Sequence, residues 1–398
     1  MTERSTTPYK EIILVQPQRA GLPARSHVMG AEAVDARLLR TMGMLVPEGL
    51  PPVSRLAVET ALAAMAEATK AAIAADIECW HAWCVKEGRS PMPADPEDLV
   101  HYVNDLDVRG KKPSTLARRV ASLGALHRVL GLAQNAAPTE AAIVRAALKA
   151  IRRRRGSLQR QAAPLRLGKA LDSNAPEGFT LSALLDACGD DLQGLRDAAL
   201  LSLGYDAGLR VSELTRVEAN HIESQEDGSA TLFIPFSKTD QEQEGAWAWL
   251  SAETVRRVHA WTNAGMIEEG PIFRRVGVDR RRTGRTERQL ASAEKTYSIG
   301  LTALTRQGVN AIYRRIAIRA YEQGLVTLPS GKLVAAVQAL STHSLRVGLT
   351  QDLFAAGEDG LGIAQALRWS SPTTALRYGR KLAVRSNVAA RVLSRVRR

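Results

Sequence analysis

The chain is poor in cysteine: Cys79, Cys84 and Cys188 are the only three in 398 residues. Three thiols exclude a disulfide framework and suit a reducing cytoplasm. Cys79, His81 and Cys84 stand close together, but no fourth ligand follows at zinc-like spacing, so no metal is expected. No run approaches the ~18 uninterrupted apolar residues that span a bilayer, which argues against a membrane partner. The first residues lack the apolar core of a secretion signal. Acidic residues are in deficit, 41 against 54 Lys and Arg, leaving a formal charge of +13. Such an excess of cations attracts phosphates, so the expected partner is a polyanion.

Hydrophobic residues make up 45% of the chain, enough for most of it to fold, and 398 residues are too many for one small core. Residues 1–60 are rich in Pro, Gly and isolated charges and read as an arm of uncertain order. Residues 61–155 form an all-helical domain. Apolar spacing runs from Leu56 to Ala75 and on through Ile77, Trp80, Trp83 and Val85, and Gly88 ends that helix. Asp95-Pro96 and Pro113-Ser114 open two more helices, and Thr139 is expected to cap a last one through Val144, Leu148 and Ile151.

Arg152, Arg153, Arg154 and Arg155 end that helix, and Lys111, Lys112, Arg118 and Arg119 make a second basic patch. Both are expected to lie along DNA phosphates. Residues 156–178, with scattered Gly and Pro and further basic residues, read as a linker, which suggests a clamp closing around a duplex. Residues 179–398 form an α-rich second domain with one small antiparallel sheet. Its strands are expected near Asn220–Glu223, Thr231–Phe236 and Ala246–Leu250, and Asp227-Gly228 marks a turn. An Arg-rich loop from Arg274 to Arg288, including Arg281 and Arg282, interrupts the helices that follow.

The chemistry gathers in a few segments. Ala207-Gly208-Leu209-Arg210-Val211-Ser212-Glu213 ends an apolar helix on a glycine and supplies a guanidinium. Thr342-His343-Ser344-Leu345-Arg346 supplies an imidazole and a second guanidinium three residues apart, a spacing that lets both project from one helical face. Arginine is always charged and can clamp two phosphate oxygens, so the pair suits a phosphate whose charge grows during reaction. Tyr378 offers a phenol to attack it, provided nearby cations or a base assist. The product, a phosphotyrosyl ester, conserves bond energy and requires neither metal nor nucleotide, so no cofactor is expected. Lys238, on the turn between the two longer strands, is the candidate proton donor to the leaving 5′ oxygen. Trp369 offers an N–H that can hold a phosphate oxygen but carries no proton.

These blocks, with Ser237-Lys238-Thr239-Asp240 and Leu376-Arg377-Tyr378, resemble a tyrosine recombinase of the phage-integrase superfamily, closest in pattern to Cre-type and Xer-type enzymes. The likeness extends from about residue 60 to 395. It implies a mainly α fold, with a helical core-binding (SAM-like) domain and a catalytic domain that together form a C-shaped DNA clamp. It also implies that Arg210 and Arg346 stabilise the scissile phosphate, Tyr378 attacks it, His343 assists proton transfer, Lys238 is the general acid and Glu213 orients its neighbours. Most members carry histidine where Trp369 stands, although Cre-type enzymes share the tryptophan. Double-stranded DNA with an inverted-repeat site is the implied substrate, in a bacterial or phage setting at the nucleoid. The tail through Val384, Val388, Val392 and Val396 would dock into a neighbouring protomer of a homo-tetramer. A type IB topoisomerase and a catalytically silent DNA-binding regulator on the same fold remain alternatives.

Overall fold

The computed structural model describes residues 27–45, 55–132, 137–156, 161–168, 178–235, 244–278 and 297–385, with positions 389, 392, 393 and 396 beyond them. Contacts among the described residues divide the chain into two units, one within Gly21–Arg160 and one within Gln161–Arg398. Each has its own apolar core.

The first unit is helical throughout its described residues: α1 (His27–Gly43), α2 (Arg55–Ala63), α3 (Glu67–Glu87), α4 (Pro96–Val108), α5 (Pro113–Val129) and α6 (Ala142–Arg155). Gly88 ends α3 in the left-handed region at φ 64°, where a side chain would be strained. The Asp95 carboxylate caps α4 by accepting the Glu97 N–H at 2.7 Å. Trp80 stacks on Trp83 with centroids 5.3 Å apart, and both rings meet Tyr102 edge-on. Leu99, Leu116, Leu123 and Val144 close the core around them.

Three expectations change here. The stretch from Leu56 to Val85 is two helices, α2 and α3, because the chain breaks before Glu67 to let α1 pack along α3. Lys70 secures that docking through Asp35 and Glu67, each at 2.8 Å. The arm of residues 1–60 therefore contains part of the folded unit, its described residues 27–45 included. Thr139 does not cap α6: it is buried in a short 3-10 turn against Gly124, and Ala141 precedes the helix without a side-chain cap.

The second unit begins with residues 161–168 and then α7 (Leu181–Asp186), capped by the Thr180 hydroxyl, α8 (Leu192–Asp206) and the single turn α9 (Val211–Leu214). A three-stranded antiparallel sheet follows, β1 (Ile222–Ser224), β2 (Ala230–Ile234) and β3 (Ala246–Leu250). Ala230, Leu232 and Ile234 alternate inward on β2, as a half-buried strand requires. After α10 (Ala252–Ala264), β4 (Arg274–Val278) pairs with β5 (Tyr297–Ala303) in a second, two-stranded sheet. The expected loop from Arg274 thus opens as a strand. Helices α11 (Arg306–Glu322), α12 (Leu333–Ala339), α13 (Ser344–Ala355), α14 (Gly360–Ala366) and α15 (Pro372–Arg385) complete the unit. A small cluster of Phe354, Ile363, Leu367 and Ala375 ties α13, α14 and α15 together.

Candidate active site

The apolar face of α8 carries the chain to a tight exit at Gly208, φ 54°. That backbone conformation favours glycine, and a Cβ there would also displace the Leu367 Cδ2 methyl, 2.2 Å away. The turn points the Gly208 carbonyl at Arg346, whose Nη1 donates to it. Two residues on, Arg210 precedes α9. Glu213, buried in that turn, accepts the Arg210 backbone N–H at 2.9 Å and its Nη1 at 2.8 Å. One carboxylate therefore fixes both the start of α9 and the guanidinium beside it.

Arg346 lies in the first turn of α13, a helix held in place from its far side. Asp352 accepts Arg166 Nε, the Leu167 N–H and the Tyr205 hydroxyl, each at 2.6 Å. Burial pushes the Tyr205 phenol strongly up, with the Asp352 charge adding to it, so it remains a neutral donor. Segment 161–168 runs so close to α13 that a Cβ on Gly348 would sit 1.9 Å from the Leu165 carbonyl oxygen. Arg346 is 2% exposed and donates to the carbonyls of Gly208 and Leu367. Burial, and then repulsion from Arg210, lowers its pKa to about 9, with Glu213 opposing the shift. It stays a cation at neutral pH, in a place where an incoming anion would stabilise it.

Trp369 follows α14 and lies under that guanidinium, 5.0 Å from ring centroid to Cζ. Its ring stacks on the Tyr378 ring, with centroids 5.4 Å apart and planes 11° off parallel. The indole therefore carries the phenol to the buried arginine. Tyr378 sits on α15 just before a kink at Gly379, where a Cβ would lie 2.1 Å from the Phe354 ring. Arg210, Glu213, Arg346, Trp369 and Tyr378, from four segments spread over more than 160 residues, thus meet in one place and can bind a phosphate beside a phenol oxygen.

Residues 177–384, just over half of the chain, match the family model for the phage integrase family. The chain belongs to this family. It is similar to the integrase/recombinase XerD homologue of Selenomonas ruminantium, 33% identical over 247 residues, 60% of this chain and 69% of that one. It is also similar to the Cre recombinase of Escherichia phage P1, 26% identical over 317 residues, 79% and 84% of the two chains. Among solved structures it resembles XerH site-specific recombinase bound to palindromic difH substrate in a post-cleavage complex. That match has a TM-score of 0.51 and 14% identity, covering 89% and 94% of the chains, and is a likeness of fold.

For a phage integrase family chain of the Xer and Cre type, the remaining expected residues fall into three groups. Lys238, Arg281 and Arg282 lie outside the described residues. His343 is exposed and immediately precedes α13, while Arg346, in its first turn, is buried. In the first unit, Lys111, Lys112, Arg152 and Arg153 are exposed. Their neighbours are engaged within the protein: Arg118 pairs with buried Asp76, and Arg119 donates to the Tyr102 hydroxyl at 3.1 Å. Arg154 and Arg155 pair with Asp107 and pin the end of α6 to α4. Among the described residues no cluster of His, Cys, Asp or Glu could hold a metal ion, and no helix is long and apolar enough to cross a membrane.

One residue at the site escaped the sequence reading. Arg368, between Leu367 and Trp369, has its guanidinium 3.6 Å from Glu213. The only signal was its place beside Trp369, and a single arginine in a basic chain carries little information.

Proposed function

We propose that this chain is a DNA site-specific recombinase that cuts and rejoins strands through a 3′-phosphotyrosyl intermediate and a four-way junction, acting as a tetramer on paired inverted-repeat sites. The stack of Arg346, Trp369 and Tyr378 carries this reading. It sets a phenol near a buried cation whose bonds among the described residues go to the carbonyls of Gly208 and Leu367, Glu213 being bonded to Arg210.

In the proposed reaction Arg210 and Arg346 hold the nonbridging oxygens of the scissile phosphodiester. The Tyr378 oxygen adds to phosphorus and the bond to the 5′ oxygen breaks. The phenol proton leaves to a base, in which His343 assists, and Lys238 supplies a proton to the departing 5′ oxygen. Because one phosphodiester replaces another, a 5′ hydroxyl from a second strand can reverse the step and complete exchange. Donors fixed before the substrate arrives stabilise the charge that develops on phosphorus without reorganising. Lys111, Lys112, Arg152 and Arg153 supply phosphate contacts along the duplex. The tail, exposed at Val392, Leu393 and Val396, supplies an apolar strip to a neighbouring protomer.

A nicked duplex carrying the target site tests the reading, because loss of the short fragment after cleavage prevents religation. The wild-type chain is expected to accumulate a covalent protein–DNA complex and Tyr378→Phe to form none. A Tyr378→Phe chain that still cross-links would refute the assignment.

A further inference from the structure

Arg368 occupies a backbone conformation that side chains rarely adopt, φ 55°. Its side chain is 10% exposed. Nε, Nη1 and Nη2 are all buried and without a hydrogen-bond partner. The nearest carboxylate oxygen, Glu213 Oε2, is 3.6 Å away, beyond hydrogen-bond reach, and already accepts the Arg210 backbone N–H. Buried donors are nearly always bonded, so a guanidinium that reaches Glu213 only as a long ion pair, from a strained backbone, calls for a closer acceptor that arrives from outside. The flanking residues indicate where. The Leu367 carbonyl accepts from Arg346, and the Trp369 ring contacts both Arg346 and Tyr378. Arg368 is also close enough to Arg346 for its charge to depress that group's basicity.

We propose that Arg368 is a third phosphate-binding cation, donating to a nonbridging oxygen of the scissile phosphodiester as its charge grows. This inference rests on the recombinase reading. As the Tyr378 O–P bond forms and the bond to the 5′ oxygen has yet to break, the phosphorus centre passes from one negative charge to two. Three guanidiniums, the Glu213 carboxylate and a dianionic phosphorane are together neutral; with Arg210 and Arg346 alone the same set is left negative. Arg368 therefore stabilises the transition state more than the bound substrate, as catalysis requires. The phenol proton still leaves to a base and the 5′ oxygen still gains one, so no further reactant is involved.

The test uses the full chain and a nicked duplex whose target sequence is recovered by selecting covalent adducts of the wild-type protein from a randomised library. Single-turnover cleavage is compared for wild type, Arg368→Gly, Arg368→Met and Arg368→Lys. Glycine accepts the left-handed backbone without strain, so Arg368→Gly folds even if Arg368→Met does not. Each protein is assayed on the ordinary phosphodiester and on a methylphosphonate, in which a methyl replaces one charged oxygen at the scissile position. On the phosphodiester, Arg368→Gly and Arg368→Met are expected to cleave about 100-fold slower, with Arg368→Lys recovering part of the rate. On the neutral methylphosphonate that gap should shrink to about tenfold or less. Wild-type rates in the variants would overturn the inference. An equal loss on both substrates would also overturn it, assigning Arg368 to holding Glu213. Absence of any wild-type adduct would overturn the recombinase reading itself, and this inference with it.

Discussion

Asp352, Glu213 and His127 show how single buried groups position the rest. Asp352 accepts three donors from segments far apart in sequence, whereas Glu213 holds the backbone N–H and the guanidinium of its near neighbour Arg210. His127, wholly buried in the first unit, accepts the Ala94 N–H at Nε2, 3.0 Å, and has Nδ1 2.7 Å from the Leu123 carbonyl. Burial holds its pKa below the ordinary value of 6.5, outweighing the bond to Leu123. The unfolded chain therefore takes up the proton first as pH falls. His127 contributes stability that is fully present above about pH 6.5 and declines as pH drops toward its lowered folded value. Melting followed against pH should show that decline, and His127→Gln should flatten it in that window. At this scale the sequence was most legible where side-chain chemistry is scarce and specific: Arg210, Arg346 and Tyr378 identify themselves by type and order. Arg368 did not, because its meaning lies in a backbone angle and in lost hydrogen bonds that composition does not record.

Elements whose boundaries follow local chemistry were read well, and those set by packing were not. Asp95-Pro96 and Gly88 start and stop helices through their own side-chain and backbone preferences. The break between α2 and α3 follows from the docking of α1, a long-range contact that alanine-rich propensity hides. β4 reads as Arg-Arg-Val-Gly-Val, too polar at its start for a strand signal, and is defined by its pairing with β5. Segment 161–168 lacks regular structure, yet it locks α13 through Asp352 and the 2.9 Å bond from the Leu165 N–H to the Ser344 carbonyl. Gly348→Ala tests that lock, since the new methyl would meet backbone atoms of Leu165 that have no flexible end to move. Displacing the segment is expected to destabilise the fold by about 2–3 kcal/mol and to slow covalent-complex formation. Denaturant melts and cleavage assays on the same variant would show both losses, whereas a wild-type stability would mean that the segment is not locked.

The whole molecule carries its cations unevenly in use. Lys111, Lys112, Arg152 and Arg153 are exposed; Arg118, Arg154 and Arg155 are exposed too but pair with carboxylates of the first unit, and Arg119 with a phenol. The basic runs were visible in sequence, but which of them are tied to acids was not, because the buried acids Asp76 and Asp107 stand far away along the chain. Binding to duplex DNA should weaken steeply with salt. Replacing Lys111, Lys112, Arg152 and Arg153 by glutamine should flatten the slope of log affinity against log salt by roughly 3–4, about one released counterion each. An unchanged slope would place the duplex elsewhere. The account as a whole depends on Tyr378 becoming covalently joined to a DNA strand beside Arg346. Mass spectrometry of the peptides from the trapped complex tests this directly: the nucleotide adduct is expected on Tyr378, within residues 372–385, and an adduct on any other side chain would contradict the account.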